Sequence, residues 1–179
     1  MATPPVFSAG AVLTAAQMNA VGLWLVKSQT IGTAVTSVTV SSVFNSDFDH
    51  YLITVDNTKA NVGGNLFIQF GSTTTGYYGS EYFDFYDGTA TGTNRVNNGV
   101  ANRILALGTV ADTSCAIHCY GPYTATRTII HGTYFGGGFS GFVGGQLANT
   151  TSYTAFTLFG GDGVSTITGG TINVYGYRK

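Results

Sequence analysis

From Gln29 onward, apolar residues recur at alternate positions in short runs, and Gly, Asn, Asp and Ser separate the runs. A period of two is the mark of a half-buried β-strand. The pattern predicts strands over 33–40, 50–56, 65–70, 80–86, 103–107, 115–120, 127–135, 153–159 and 171–177. About nine or ten short strands with turn signals between them suit a β-sandwich of jelly-roll type. Two stretches interrupt the alternation and predict long connections. Residues 87–101 are rich in Gly, Asn and Thr, and residues 135–149 set Phe139, Phe142 and Val143 among glycines. Such aromatics suit a subunit interface or a ligand-contacting tip. They equally suit folding back to cap the open end of a sandwich.

Residues 1–28 follow a different rule. Thr3-Pro4-Pro5 is extended, because proline and the residue before it resist the helix. Thr14 with Gln17 three positions later forms a capping box, and Leu13 with Met18 can form a hydrophobic staple. These signals predict a short helix over about 15–25, which Gly22 weakens. Val21, Leu23, Trp24, Leu25 and Val26 are too apolar to stay in water on so short an element, so they must dock. The expected organisation is a docking arm with a short helix over 1–28 and a β-sandwich over 29–179. The fold class is all-β: a jelly-roll-like sandwich preceded by an extended arm and one short α-helix.

Composition adds a constraint on the surface. Asp, Glu, Lys and Arg make up 8% of the chain and the formal net charge is −1, against about 25% charged in an average soluble domain. A chain with so little surface charge is expected to be covered by partners or by copies of itself. Seven Lys and Arg, with no cluster beyond Arg178-Lys179, argue against a nucleic-acid partner. Met1 to Pro5 show no basic and apolar leader pattern. No 18-residue apolar run is present, so no membrane insertion is expected.

Candidate chemistry is sparse. Cys115 and Cys119 stand four apart on one predicted strand, about 13 Å from each other, too far for a disulfide. They read as small apolar side chains facing inward. Asp47 and Asp49 fit a turn. Glu81, Asp84 and Asp87 are the carboxylates to weigh for glycan cleavage, which needs a facing pair, but Glu81 and Asp84 would point to opposite faces of a strand. His50, His118 and His131 are dispersed in sequence and form no Ser-His-Asp order. No phosphate-binding loop, metal-ligand spacing or cofactor motif is found. Tyr77, Tyr78, Tyr82, Tyr86 and Trp24 could stack on sugars, or could pack within strands and between subunits.

Three segments resemble a known family. Phe7-Ser8-Ala9-Gly10-Ala11-Val12-Leu13-Thr14-Ala15-Ala16-Gln17-Met18-Asn19 is similar to a segment at the start of many tailed-bacteriophage virion proteins. Val43-Phe44-Asn45-Ser46-Asp47-Phe48-Asp49-His50-Tyr51-Leu52-Ile53 resembles a pattern in their β-sandwich domains. Gly170-Thr171-Ile172-Asn173-Val174-Tyr175-Gly176-Tyr177 resembles their last strand. The resemblance implies a tail-fibre, minor tail or capsid-decoration protein, commonly a homotrimer. It would be assembled in the bacterial cytoplasm and displayed on the virion, contacting other virion proteins and, in the tail, a host surface glycan. Docking would fall to Phe7, Val12, Leu13, Thr14, Gln17, Met18 and Trp24. Tyr77, Tyr78, Tyr82, Tyr86, Phe139 and Phe142 would serve subunit or glycan contact. With no coiled-coil or β-helical shaft, the chain suits a short appendage or a decoration protein better than a long fibre.

Overall fold

The computed structural model describes residues 10, 12, 22–109, 113–136, 138–161 and 165–178. They form β1 (Leu23–Thr30), β2 (Ser37–Val40), β3 (Phe48–Ala60), β4 (Gly64–Phe70), β5 (Tyr77–Phe85), β6 (Thr91–Gly99), β7 (Asn102–Leu107), β8 (Thr113–Tyr120), β9 (Thr128–Gly136), β10 (Phe139–Leu147), β11 (Phe156–Gly160), β12 (Ile167–Thr168) and β13 (Thr171–Arg178). The large sheet runs in the order β1-β13-β3-β8-β9-β10-β5-β6, with β12 paired to the end of β3. The small sheet is β2-β11-β4-β7. Every strand pair is antiparallel. The all-β sandwich expected from the alternation is therefore present.

Alternation sets the two faces of the large sheet. Tyr51, Ile53 and Val55 on β3, Cys115, Ile117 and Cys119 on β8, and Ile172 and Val174 on β13 point inward and are buried. They meet Val40, Leu66, Ile68, Leu105, Phe156 and Leu158 of the small sheet in one core cluster. Each such side chain contributes roughly 1.5–3 kcal/mol by leaving water. Phe44 packs edge-on to Tyr51 at 4.8 Å, and the Tyr51 hydroxyl accepts from the Asn45 amide and donates to its carbonyl. The cysteines are free and buried, as their spacing requires.

Three expectations need correction. Leu23–Leu25, read as the end of a helix, belong to β1, where Leu23 pairs with Tyr177 and Leu25 with Tyr175. A vacant edge on β13 outweighs local helix signals there, since strand preference follows neighbours more than intrinsic propensity. The boundary drawn at residue 28 thus falls inside a sheet strand. The rest of the predicted helix, over 15–21, lies outside the described residues, as does the capping box. Finally, the two predicted long loops contain strands, β6 within 87–101 and β10 within 135–149.

Candidate functional site

Strand β5 brings the two sides of the large sheet into one view. Its inward side carries Tyr77 and Glu81, both buried. The Tyr77 hydroxyl accepts the Phe70 amide at 2.7 Å, and burial pushes this phenol's pKa up. Tyr77 is thus a core residue and lies out of reach of a ligand or a second subunit. Glu81 accepts from Arg103 Nη1 at 2.8 Å, Asn94 Nδ2 at 2.9 Å and the Tyr134 hydroxyl at 2.5 Å. Arg103 comes from the small sheet and also lies over the Phe67 ring at 5.5 Å. The cluster ties β5, β6 and β9 to β7 and fixes the strand that carries the outward residues. Burial, then the bond to Glu81, pushes the Tyr134 phenol upward.

The outward side is built by register. Gly144 pairs with His131 on one side and Ser80 on the other, and Ser80 pairs with Arg95. This row therefore reads His131, Gly144, Ser80, Arg95 across four strands, about 14 Å from end to end. Its two middle positions have the smallest side chains. A Cβ built on Gly144 meets nothing within 4 Å. One flanking row holds Ile129, Gln146, Tyr78 and Asn97, and the other Thr133, Phe142, Tyr82 and Thr93. The result is a trough. One half is an open depression of about 620 Å³ bounded by Tyr78, Arg95, Asn97, Ile129 and Gln146. The other half, of about 430 Å³, is bounded by Tyr82, Thr93, Arg95 and Phe142.

Tyr78, Tyr82 and Phe142 are exposed on its walls, Phe142 to 63%. The Arg127 guanidinium contacts Gln146 Oε1 at 3.4 Å. Such a surface offers flat apolar faces, neutral hydrogen-bonding groups and a cation.

Beside the trough the three histidines come together, although they are far apart in sequence. His50 Nε2 and His118 Nδ1 are 2.9 Å apart, and the Tyr120 hydroxyl meets His131 Nε2 at 3.0 Å. The His50 ring stacks between Tyr120 and Tyr177, with centroids at 4.2 and 4.0 Å. Partial burial, then the neighbouring imidazoles, lowers the pKa of His50, and burial followed by His131 lowers that of His118.

The remaining sequence candidates scatter. Phe7, Leu13, Thr14, Gln17 and Met18 lie outside the described residues. Val12 is 87% exposed and Trp24 is partly exposed on β1. Tyr86 is exposed, stacks on Phe135 at 5.0 Å, and donates to the Phe139 carbonyl at 2.6 Å. Phe139 is half-buried against the core beside Phe85 and Tyr134, whereas Phe142 reaches solvent. Of the two aromatics, Phe139 therefore folds back on the core and Phe142 does not. Sequence reasoning missed Ser80, Arg95, Asn97, Gly144 and Gln146, and left His131 without neighbours. Their signal was outward parity in neighbouring strands, which becomes visible only once strand order is known.

No family model matches the chain. The comparison with curated proteins finds no match either. Among solved structures, the chain is similar to the Caenorhabditis elegans galectin LEC-6, at 12% identity and a TM-score of 0.36 over 81% of this chain and 94% of that one. It is also similar to the mavirus penton protein, at 8% identity and a TM-score of 0.22 over 88% and 100% of the two chains. A chain of infectious bursal disease virus Gx strain follows at 17% identity and a TM-score of 0.18, over 85% and 40%. Scores this low carry no inference about this chain.

Proposed function

We propose that this protein is a non-enzymatic structural protein of a tailed-phage virion, displayed on the particle surface as a capsid decoration or short tail appendage and joined to it through its N-terminal segment. The observation that carries this reading is the asymmetry of the two edges of the large sheet. The β1 edge, where the N-terminal segment enters, exposes Leu23, Trp24 and Leu25. The opposite edge, β6, is TGTNRVNNG and almost wholly polar. An exposed apolar edge strand is an association site, so the particle, or sister subunits of a trimer, would cover the β1 side. The non-enzymatic part draws support from the carboxylates. Glu81 is committed to three donors. Asp56 and Asp84, both on the outer face, are four strand spacings apart, about 19 Å, beyond the separation of glycosidase pairs.

The test is deletion of residues 1–21, which stops short of β1. The shortened protein should stay soluble with an unchanged β-type circular dichroism spectrum and fail to join particles. Full occupancy on particles without the segment would refute the docking role.

The trough favours a second reading, recognition of a host surface glycan by the same displayed domain. Exposed aromatic faces beside Ser80, Asn97 and Gln146 suit a ring that is apolar on its faces and hydroxylated at its rim. A glycan array without binding would remove this reading and leave the first.

A further inference from the structure

We propose that the trough on the outer face of the large sheet binds an acidic saccharide, with Arg95 pairing to its carboxylate. This rests on the glycan-recognition reading and narrows it to a substrate class. The charge around the trough is the first ground. The chain as a whole is slightly acidic, yet the charged side chain that lines the outer side of the trough is a cation, Arg95. The Arg95 side chain is exposed and has no hydrogen bond or ion pair with any described residue. A second cation, Arg127, two residues before Ile129 and outside the row itself, reaches Gln146 Oε1. Glu81 lies beneath the trough, but its carboxylate turns inward to Arg103, Asn94 and Tyr134. Asp84 is four residues along β5 from Ser80, about 13 Å away. A free guanidinium in such a place matches a carboxylate in a planar, two-point geometry.

The second ground is shape. Gly144 and Ser80 leave the floor open, and Tyr78 with Ile129 faces Tyr82 with Phe142 across it. A sugar ring can lie between these walls with its carboxylate toward Arg95 and its hydroxyls toward Ser80, Asn97 and the amide of Gln146. Because Arg127 occupies the Gln146 oxygen, the Nε2 group is left to donate.

The full chain should be titrated by NMR, in low salt, with two matched pairs of probes: trigalacturonate with galactotriose, and sialyllactose with lactose. Each pair contrasts an acidic saccharide with a neutral one. The acidic member of at least one pair should bind about tenfold tighter or more than its neutral partner, a preference typical of a charge-assisted pair. Arg95→Gln, an exposed substitution, should erase that preference, and Gly144→Val should block binding by filling the floor. Equal binding of the neutral members, or a preference that survives R95Q, would overturn the acidic assignment and leave glycan recognition standing. Binding that survives G144V would overturn the trough as the site. No binding of any probe, together with an empty array, would remove both this proposal and the glycan reading beneath it.

Discussion

On β5, Tyr77 and Glu81 face the small sheet while Tyr78, Ser80 and Tyr82 face solvent, and the two sets are partnered in opposite ways. The inward polar groups are partnered within the protein: Tyr77 accepts a backbone amide and Glu81 accepts from three donors. The outward groups are left largely open, and Arg95 beside them has no partner among the described residues. In an interior, an unmet polar group costs free energy, because no water replaces the missing partner. On a surface water meets it, so an unpartnered guanidinium between exposed aromatics costs little and stays available to bind.

The sharpest way to break this contrast is to remove Glu81. Glu81→Ala strands the Arg103 guanidinium and the Tyr134 hydroxyl, and should cost about 3–5 kcal/mol, read as a lower urea midpoint with an unchanged slope. A loss under about 1 kcal/mol would mean that the cluster does not clamp the sheets.

Adjacent glycines on β10 give the next test, because they point to opposite faces. A Cβ on Gly145 would lie 2.9 Å from the Asn102 amide, whereas one on Gly144 meets nothing. Gly145→Ala should therefore destabilise by about 1–3 kcal/mol, and Gly144→Ala should change stability by no more than about 0.5 kcal/mol. Equal effects in thermal melts would refute the assignment of faces.

The smallest effect belongs to the histidines. Because the folded pKa values of His50 and His118 are lowered, the unfolded chain binds more protons below its own pKa of about 6.5. The stability held by the neutral imidazoles is thus fully present above about pH 6.5. It is lost as pH falls through the lowered folded values. Thermal melts from pH 7 to pH 5 should show a falling midpoint, and His118→Gln should flatten that fall. An identical slope in the variant would exclude the cluster as its source.

How much of this was legible in the sequence varied with what filled each inward position. Leu66, Ile68 and Phe70 announce β4 because each strand residue supplies its own core volume. Strands β6 and β10 do not, because Gly92, Gly141 and Gly145 make room for Phe83, Tyr134 and Asn102 from neighbouring strands. The alternation is there, but the bulky partner sits elsewhere in the chain, so glycine reads as loop. The trough suffered the same fate, since Arg95 and Gly144 fall in those two segments. His50, His118 and His131 became neighbours only through the order β3-β8-β9, which no local pattern encodes. Tyr78, Tyr82 and Phe142 could be named from sequence because large aromatics draw attention wherever they stand. Tyr77 was named with them although one step along a strand reverses the face.

The two cysteines carry a practical consequence. Both thiols are buried inside the sandwich, and burial pushes that of Cys115 up to about 12 and that of Cys119 upward as well. At neutral pH neither presents a thiolate to an electrophile. With only these two cysteines in the chain, a third placed on the outer face would be the single site open to a maleimide dye, a spin label or a gold cluster. The wild-type core could stay intact while that one tag reported where on a particle the sheet points and what arrives in its trough.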